Sequence, residues 1–177
     1  MQETEVKLQI GKNEKSRIVD FCNKNEFIEQ KTVIEHDIYF SPYHRNFMKE
    51  DRAIRVRRQG GSWKLTYKEA NCSESMQDRQ EIEIEVSDGE KLLQIFEKLD
   101  FQKLLEVCKE RTYYFNADVS ICIDNVKGLG QYAEIEILDN ASSAGDKEQQ
   151  IWLMLKQMEL MTVKTEKKTY LELLLER

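Results

Sequence analysis

The chain carries a single proline, Pro42, and only two histidines, His36 and His44, among 177 residues. With no proline-rich stretch, low-complexity tract or internal repeat, nothing marks an interdomain linker. Residues 1–177 therefore read as one domain, long enough to bury a core without staples. Both histidines read as surface or scaffold residues, so no His-based catalysis is expected. No apolar run approaches a membrane span, and the N-terminus lacks the basic-then-apolar order of a signal peptide. A cytoplasmic protein without a membrane partner is expected. Four cysteines, Cys22, Cys72, Cys108 and Cys122, stand far apart with no C-x-x-C pair, which leaves neither a zinc knuckle nor a redox motif. They are expected to be reduced, Cys22 in a helix core and Cys122 in a strand. A net charge of -6 argues against nucleic acid as a partner, so any polyanion has to be met by a local basic site.

What the chain does have is charge, at 34% of its residues, beside 40% hydrophobic residues, a composition too apolar for disorder. That charge is placed with period 2. "ETEVKL" puts Glu3, Glu5 and Lys7 on one face of a strand and Thr4, Val6 and Leu8 on the other. Alternation of this kind recurs at 3–10, 33–40, 53–58, 62–68, 80–86, 110–116, 119–124 and 131–138, which predicts about eight strands. Apolar stripes with helical spacing predict helices over 12–25, 88–99, 147–160 and 168–175. "QGGS" at 59–62 is a hairpin signal, while "NCSESMQD" and "NASSAGD" read as surface loops. Short hairpins joining many strands give an α+β protein with an antiparallel sheet.

The polar face of that sheet is unusual. A solvent-facing sheet surface is the plain alternative, and it is normally a mixture of Ser, Thr, Gln and scattered charge. Here the positions are nearly all long acids and bases, and the signs are segregated by strand. Acids stand at Glu3 and Glu5, bases at Arg55 and Arg57 and again at Lys64 and Lys68, and acids at Glu81, Glu83 and Glu85 and at Glu134 and Glu136. About eight strands suffice to curl into a barrel with this ionic face inside. Charges in a confined interior are costly unless something answers them. Clustered carboxylates suit hard divalent cations and clustered Arg and Lys suit phosphate oxygens, so metal with polyphosphate satisfies both.

The "ETEVK" stretch resembles the E-x-E-x-K signature of the CYTH superfamily, which includes class IV adenylyl cyclases and thiamine triphosphatases. Its company strengthens the likeness: "HDIYF" at 36–40, "RAIRVRR" at 52–58, "WKLTYK" at 63–68, "RQEIEIEVSD" at 79–88, "KER" at 109–111, "IDNVKGLGQYAEIEI" at 123–137 and "KTYLELL" at 168–174 resemble family blocks in family order. The resemblance covers essentially the whole chain. It implies a closed or nearly closed eight-stranded antiparallel β-barrel, the triphosphate tunnel, with helices packed outside. It also implies a triphosphate held by Lys7, Arg55, Arg57, Lys64, Arg79, Lys109, Arg111 and Lys168. Divalent metal, Mg²⁺ or Mn²⁺, is assigned by the same resemblance to Glu3, Glu5, Glu81, Glu83, Asp124, Glu134 and Glu136, with Glu136 the first choice as direct ligand. The catalytic group that the resemblance implies is Glu3, Glu5, Lys7, Asp37 and Arg111, with Asp37 or a lumen glutamate expected to take the proton from the nucleophile. Tyr39, Phe40 and Trp63 read as packing residues rather than nucleobase platforms.

Two reactions fit such a site. Attack by the ribose 3′-hydroxyl of ATP on the α-phosphorus gives 3′,5′-cyclic AMP and pyrophosphate; attack by water on the terminal phosphorus makes a triphosphatase of inorganic, thiamine or nucleoside triphosphate. The D-x-Y-F element at 37–40 and the block from Asp124 to Ile137 resemble the cyclase branch more closely. A non-catalytic polyphosphate-binding module is the third reading, and family members often pair as homodimers.

Overall fold

Period-2 alternation becomes strand wherever it was expected, because each segment can bury one face. The computed structural model describes residues 2–72, 76–138 and 142–177, with nothing said of the side chains of Gln2 and Glu3. Its strands are β1 (Gln2–Gln9), β2 (Ile28–Glu29), β3 (Val33–Pro42), β4 (Ala53–Gln59), β5 (Ser62–Lys68), β6 (Gln77–Val86), β7 (Phe101–Asn116), β8 (Val119–Val126) and β9 (Gly130–Ile137). The helices are α1 (Lys12–Lys24), α2 (Gly89–Lys98), α3 (Ala144–Gln157) and α4 (Tyr170–Leu175).

Antiparallel pairing runs β7, β3, β4, β5, β6, β1, β9, β8, and β8 returns to β7, closing an eight-stranded barrel. β7 makes the closure possible. Its 16 residues pair with β3 from Phe101 to Arg111 and with β8 from Lys109 to Asn116, so Lys109, Glu110 and Arg111 have neighbours on both sides. The alternation at 110–116 marked only the second half of this strand; the adjacent Leu104 and Leu105 obscure the first, and a register shift at Tyr39/Phe40 absorbs the irregularity. β2 is a two-residue addition to the far end of β7, too short to leave a pattern. Residues 73–75 of the first expected loop and 140–141 of the second lie outside the described residues. Gln77 and Asp78, read as loop, begin β6, and Ala144 to Asp146, read as loop, form the first turn of α3, capped by the Ser143 hydroxyl accepting from the Asp146 N–H at 3.2 Å.

The hydrophobic core lies outside the barrel wall. Val6, Leu8, Ile121, Ile135 and Ile137 face outward and meet Ile18, Phe21 and Cys22 of α1 and Ile151 and Leu155 of α3. On another side Phe96 of α2 packs on Phe40 and Val56, and Gly89 sits so close to the Trp63 ring that a Cβ there would lie 2.0 Å from it. Side chains of the opposite parity are thereby turned inward. No helix among the described residues is long and apolar enough to cross a membrane.

The barrel's two ends differ. Strand directions put Tyr39, Tyr132 and Val107 at one end, where α4 lays Tyr170 and Leu171 against them in a buried apolar cluster. Thr169 and Glu172 hold α4 there with a reciprocal cap: the Thr169 N–H donates to Glu172 Oε2 at 2.7 Å and the Glu172 N–H to Thr169 Oγ1 at 3.2 Å. At the other end Lys64 and Glu83 remain 42% and 37% exposed.

Candidate active site

The lumen is a cavity of about 700 Å³ lined by the inward side chains of the barrel strands and by Thr169 to Glu172 beside it. Its wall contains two kinds of charge. Along β3, β7 and β8 the charges answer one another. Arg57 grips Asp37 with two hydrogen bonds, Nε to Oδ1 at 2.6 Å and Nη2 to Oδ2 at 2.8 Å, and lies 3.1 Å from Glu35 Oε2. Lys109 stands 3.2 Å from both acids, and the Tyr113 hydroxyl donates to Glu35 Oε1 at 2.6 Å. A second fork joins Arg111 to Asp124, Nε to Oδ1 at 2.6 Å and Nη2 to Oδ2 at 2.5 Å. The same guanidinium reaches Glu134, and the Tyr170 hydroxyl donates to Asp124 Oδ2 at 2.8 Å. Lys7 lies 3.4 Å from Glu134 and 4.8 Å from the Tyr170 ring centroid.

These frame groups are fixed in their charged forms. Burial opposes the Glu35 carboxylate, yet Lys109, Arg57 and Arg111 outweigh it and hold its pKa at about 2. Asp37 is likewise opposed by burial and held well below the usual carboxylate range by Lys109 and Arg57, while Arg111 with Lys7 does the same for Glu134. Buried Arg57 and Arg111 are held by their acids well above the ordinary arginine value despite desolvation. Burial pushes the Cys122 thiol up to about 12, so it stays protonated in the lumen wall.

Elsewhere like charges face one another across the ladder. Glu5 stands opposite Glu136 between β1 and β9, and Arg57 opposite Lys64 between β4 and β5. Such neighbours repel. Arg55 donates to the Thr66 hydroxyl at 3.1 Å and Arg79 approaches Asp51 at 3.6 Å, but the buried Nε atoms of both have no hydrogen-bond acceptor. A buried guanidinium N–H without an acceptor calls for one.

Of the residues expected from sequence, Glu5, Lys7, Arg55, Arg57, Lys64, Arg79, Glu81, Glu83, Lys109, Arg111, Glu134 and Glu136 all line this cavity. Glu3 pairs with Arg79 in the ladder, though its side chain lies outside the described residues. Three expected residues are elsewhere. Asp37 and Asp124 are fully buried behind the lumen surface, their oxygens committed to the arginines. Lys168 precedes the cap of α4 and points outward, 47% exposed and 2.6 Å from Glu176. Glu81 and Glu83, on β6 two strands away from Glu136 on β9, pair with Lys68 and Lys64. Among the described residues no three Asp, Glu, His or Cys side chains converge as a ready-made metal cage. The sequence reading passed over Glu35, which alternates with Asp37 and carried the same period-2 signal, and over Tyr170, whose place beneath Lys7 depends on where α4 docks.

A closed antiparallel barrel with helices outside and matched acids and bases within defines a class of charged-lumen barrel proteins. The chain belongs to the CYTH family: the CYTH domain model matches residues 1–170. It is 32% identical to the "putative adenylate cyclase MJ0240" of Methanocaldococcus jannaschii over 98% of both chains. The PH1819 protein of Pyrococcus horikoshii OT3 superposes with a TM-score of 0.83 at 32% identity, again over 98% of both chains. The "putative adenylyl cyclase HpAC1" of Hippeastrum, described as having a dominant triphosphatase activity, shares the fold at 14% identity, with a TM-score of 0.73 over 99% of this chain and 95% of its own.

Proposed function

We propose that this chain is a divalent-metal-dependent enzyme that grips a triphosphate in the barrel lumen and converts ATP to 3′,5′-cyclic AMP and pyrophosphate. The observation that carries the reading is the pair of buried Nε donors, on Arg55 and Arg79, that have no acceptor in a cavity where Glu5 also stands opposite Glu136. A bound metal triphosphate would bring phosphate oxygens to those donors and positive charge to the facing acids. The donor chemistry fits the ion, since Mg²⁺ is commonly held by one or two carboxylates with phosphate oxygens completing its shell, rather than by an all-protein cage. Glu5 and Glu136 would hold it, with Glu134 kept nearby by Arg111 and Lys7. When bound, Mg²⁺ or Mn²⁺ supplies Lewis-acid charge to the phosphoryl oxygens and lowers the pKa of the attacking hydroxyl.

The remaining work falls to the chain's own residues. Arg55, Arg57, Lys64, Arg79, Lys109 and Arg111 bind the phosphate chain and stabilise the charge that develops as the bond to the α-phosphorus forms and pyrophosphate leaves. Asp37, Glu35 and Asp124 keep those bases aimed. Because Asp37 is buried behind the lumen surface and held ionised by Arg57 and Lys109, the proton acceptor is a lumen glutamate. The name of the 32% identical relative supports cyclisation. Hydrolysis is the second reading, because the same grip serves a triphosphate attacked by water, and the Hippeastrum protein described as a triphosphatase has this fold.

Product analysis separates them. The purified chain is given ATP, inorganic triphosphate or thiamine triphosphate with Mg²⁺ or Mn²⁺. Cyclic AMP and pyrophosphate in equal amounts, absent in Glu136→Ala, support the cyclase. Orthophosphate without cyclic AMP makes the protein a triphosphatase, and binding with no product from any substrate leaves a sensor.

A further inference from the structure

Any organic group on a lumen-bound triphosphate has to leave the ionic zone by one end of the barrel. The end beneath α4 is filled by apolar side chains, with Tyr132 and Leu171 each 3% exposed and Tyr170 5% exposed. At the opposite end β7 presents two aromatic side chains to the cavity, Tyr113 and Phe115, half-buried and stacked with ring centroids 5.5 Å apart and planes within 10°. Tyr39 and Tyr170, the other aromatic residues lining the cavity among the described residues, belong to the packed cluster beneath α4. The stack is pre-set. Tyr113 cannot swing, because its hydroxyl is tied to the buried Glu35, and the Arg111 guanidinium lies 5.6 Å from its ring. Phe115 is in register with Ser120 of β8, which is in turn opposite Glu136, so one strand separates the aromatic pair from Glu136 along the same lumen wall. Four residues of strand separate Arg111 from Phe115, about 13 Å at the usual rise, comparable to the distance from the terminal phosphates to the base of an extended nucleoside triphosphate.

We propose that Phe115, backed by Tyr113, is the platform on which the base of a nucleoside triphosphate stacks at the open end of the lumen. The proposal rests on the triphosphate-binding reading above and names its substrate class: a triphosphate carrying a flat heteroaromatic ring. An aromatic face rewards such a ring and is indifferent to inorganic triphosphate.

Calorimetric titration of the full chain with Mg²⁺, using a non-cleavable ATP analogue and, separately, inorganic triphosphate, tests it. Phe115→Ala is expected to weaken the analogue by about 5- to 150-fold, the usual value of one base on one aromatic ring, and to leave inorganic triphosphate within about 2-fold. Phe115→Trp, which keeps a stacking face, is expected to retain analogue affinity and guards against loss of fold as the cause. Equal loss of both ligands in Phe115→Ala, or no loss of either, overturns the platform. A wild-type chain that binds inorganic triphosphate no more weakly than the analogue overturns the platform alone; one that binds neither overturns the triphosphate reading along with it.

Discussion

The wall formed by β3, β7 and β8 and the wall formed by β4, β5, β6 and β1 contain the same residue types and use them in opposite ways. In the first, Asp37 and Asp124 are each gripped by an arginine fork, and Glu35 lies 3.1 Å from Arg57 and 3.2 Å from Lys109. In the second, Arg55 and Arg79 have donors to spare and Glu5 looks across at Glu136. A buried acid gripped by bases rigidifies the wall and keeps those bases aimed, whereas a buried guanidinium N–H without an acceptor is unfavourable until a ligand arrives. The first wall is a frame and the second a receptor.

Removing an acid from the frame tests that division most severely. Asp124→Ala leaves Arg111 buried with half its partners gone and is expected to cost about 3–5 kcal/mol of stability by denaturant titration. If it costs no more than a surface substitution, the frame does not exist. Acid should undo the same wall. The Glu35 pKa is lowered from 4.5 to about 2, so its contribution is complete above pH 4.5 and is lost as the pH falls from there toward 2. Denaturation curves across that window should show stability dropping in the wild type and a flatter course in Glu35→Gln.

The receptor wall should behave inversely. Arg55→Met removes a guanidinium whose Nε lacks an acceptor, so stability is expected to hold or rise while the affinity for inorganic triphosphate falls about 10-fold or more, as expected for a lost charged hydrogen bond. Calorimetry and a thermal melt on the same preparation would read both. The smallest effect belongs to Lys168→Ala. Its pair with Glu176 is exposed and screened by solvent, so the melting temperature and triphosphate binding should both stay unchanged within experimental error. A lost ligand affinity there would return Lys168 to the site.

Much of this was legible in the sequence because side chains alternate along a regular strand. Glu5 and Lys7, Arg55 and Arg57, and Glu134 and Glu136 needed only that rule to share a face, and sign segregation by strand pointed to the interior of a barrel. What the pattern could not give was partnership. Nothing local distinguishes Asp124, consumed by Arg111 and Tyr170, from Glu136, which lines the cavity; the difference lies in which strands become neighbours. Lys168 and Tyr170 show the same limit over two residues, since the cap at Thr169 sets the direction of α4 and turns one outward and the other in. The start of β7 was lost for a different reason: with Leu104 and Leu105 adjacent, its first half has no clean period.

The position of β1 has a consequence for how the molecule comes into being. Its neighbours are β6 and β9, so Glu5 meets Gln77 and Glu136, residues far along the chain. During synthesis the first strand waits on the order of ten seconds for its last neighbour. Folding of such a chain is governed by distant pairings and belongs to the millisecond-to-second range rather than the microsecond one. The lumen has no partial form along the way: β7, β8 and β9 are successive hairpin neighbours, so until β1 meets β9 there is an open sheet with a charged face in water, and the receptor comes into existence only in the closing step.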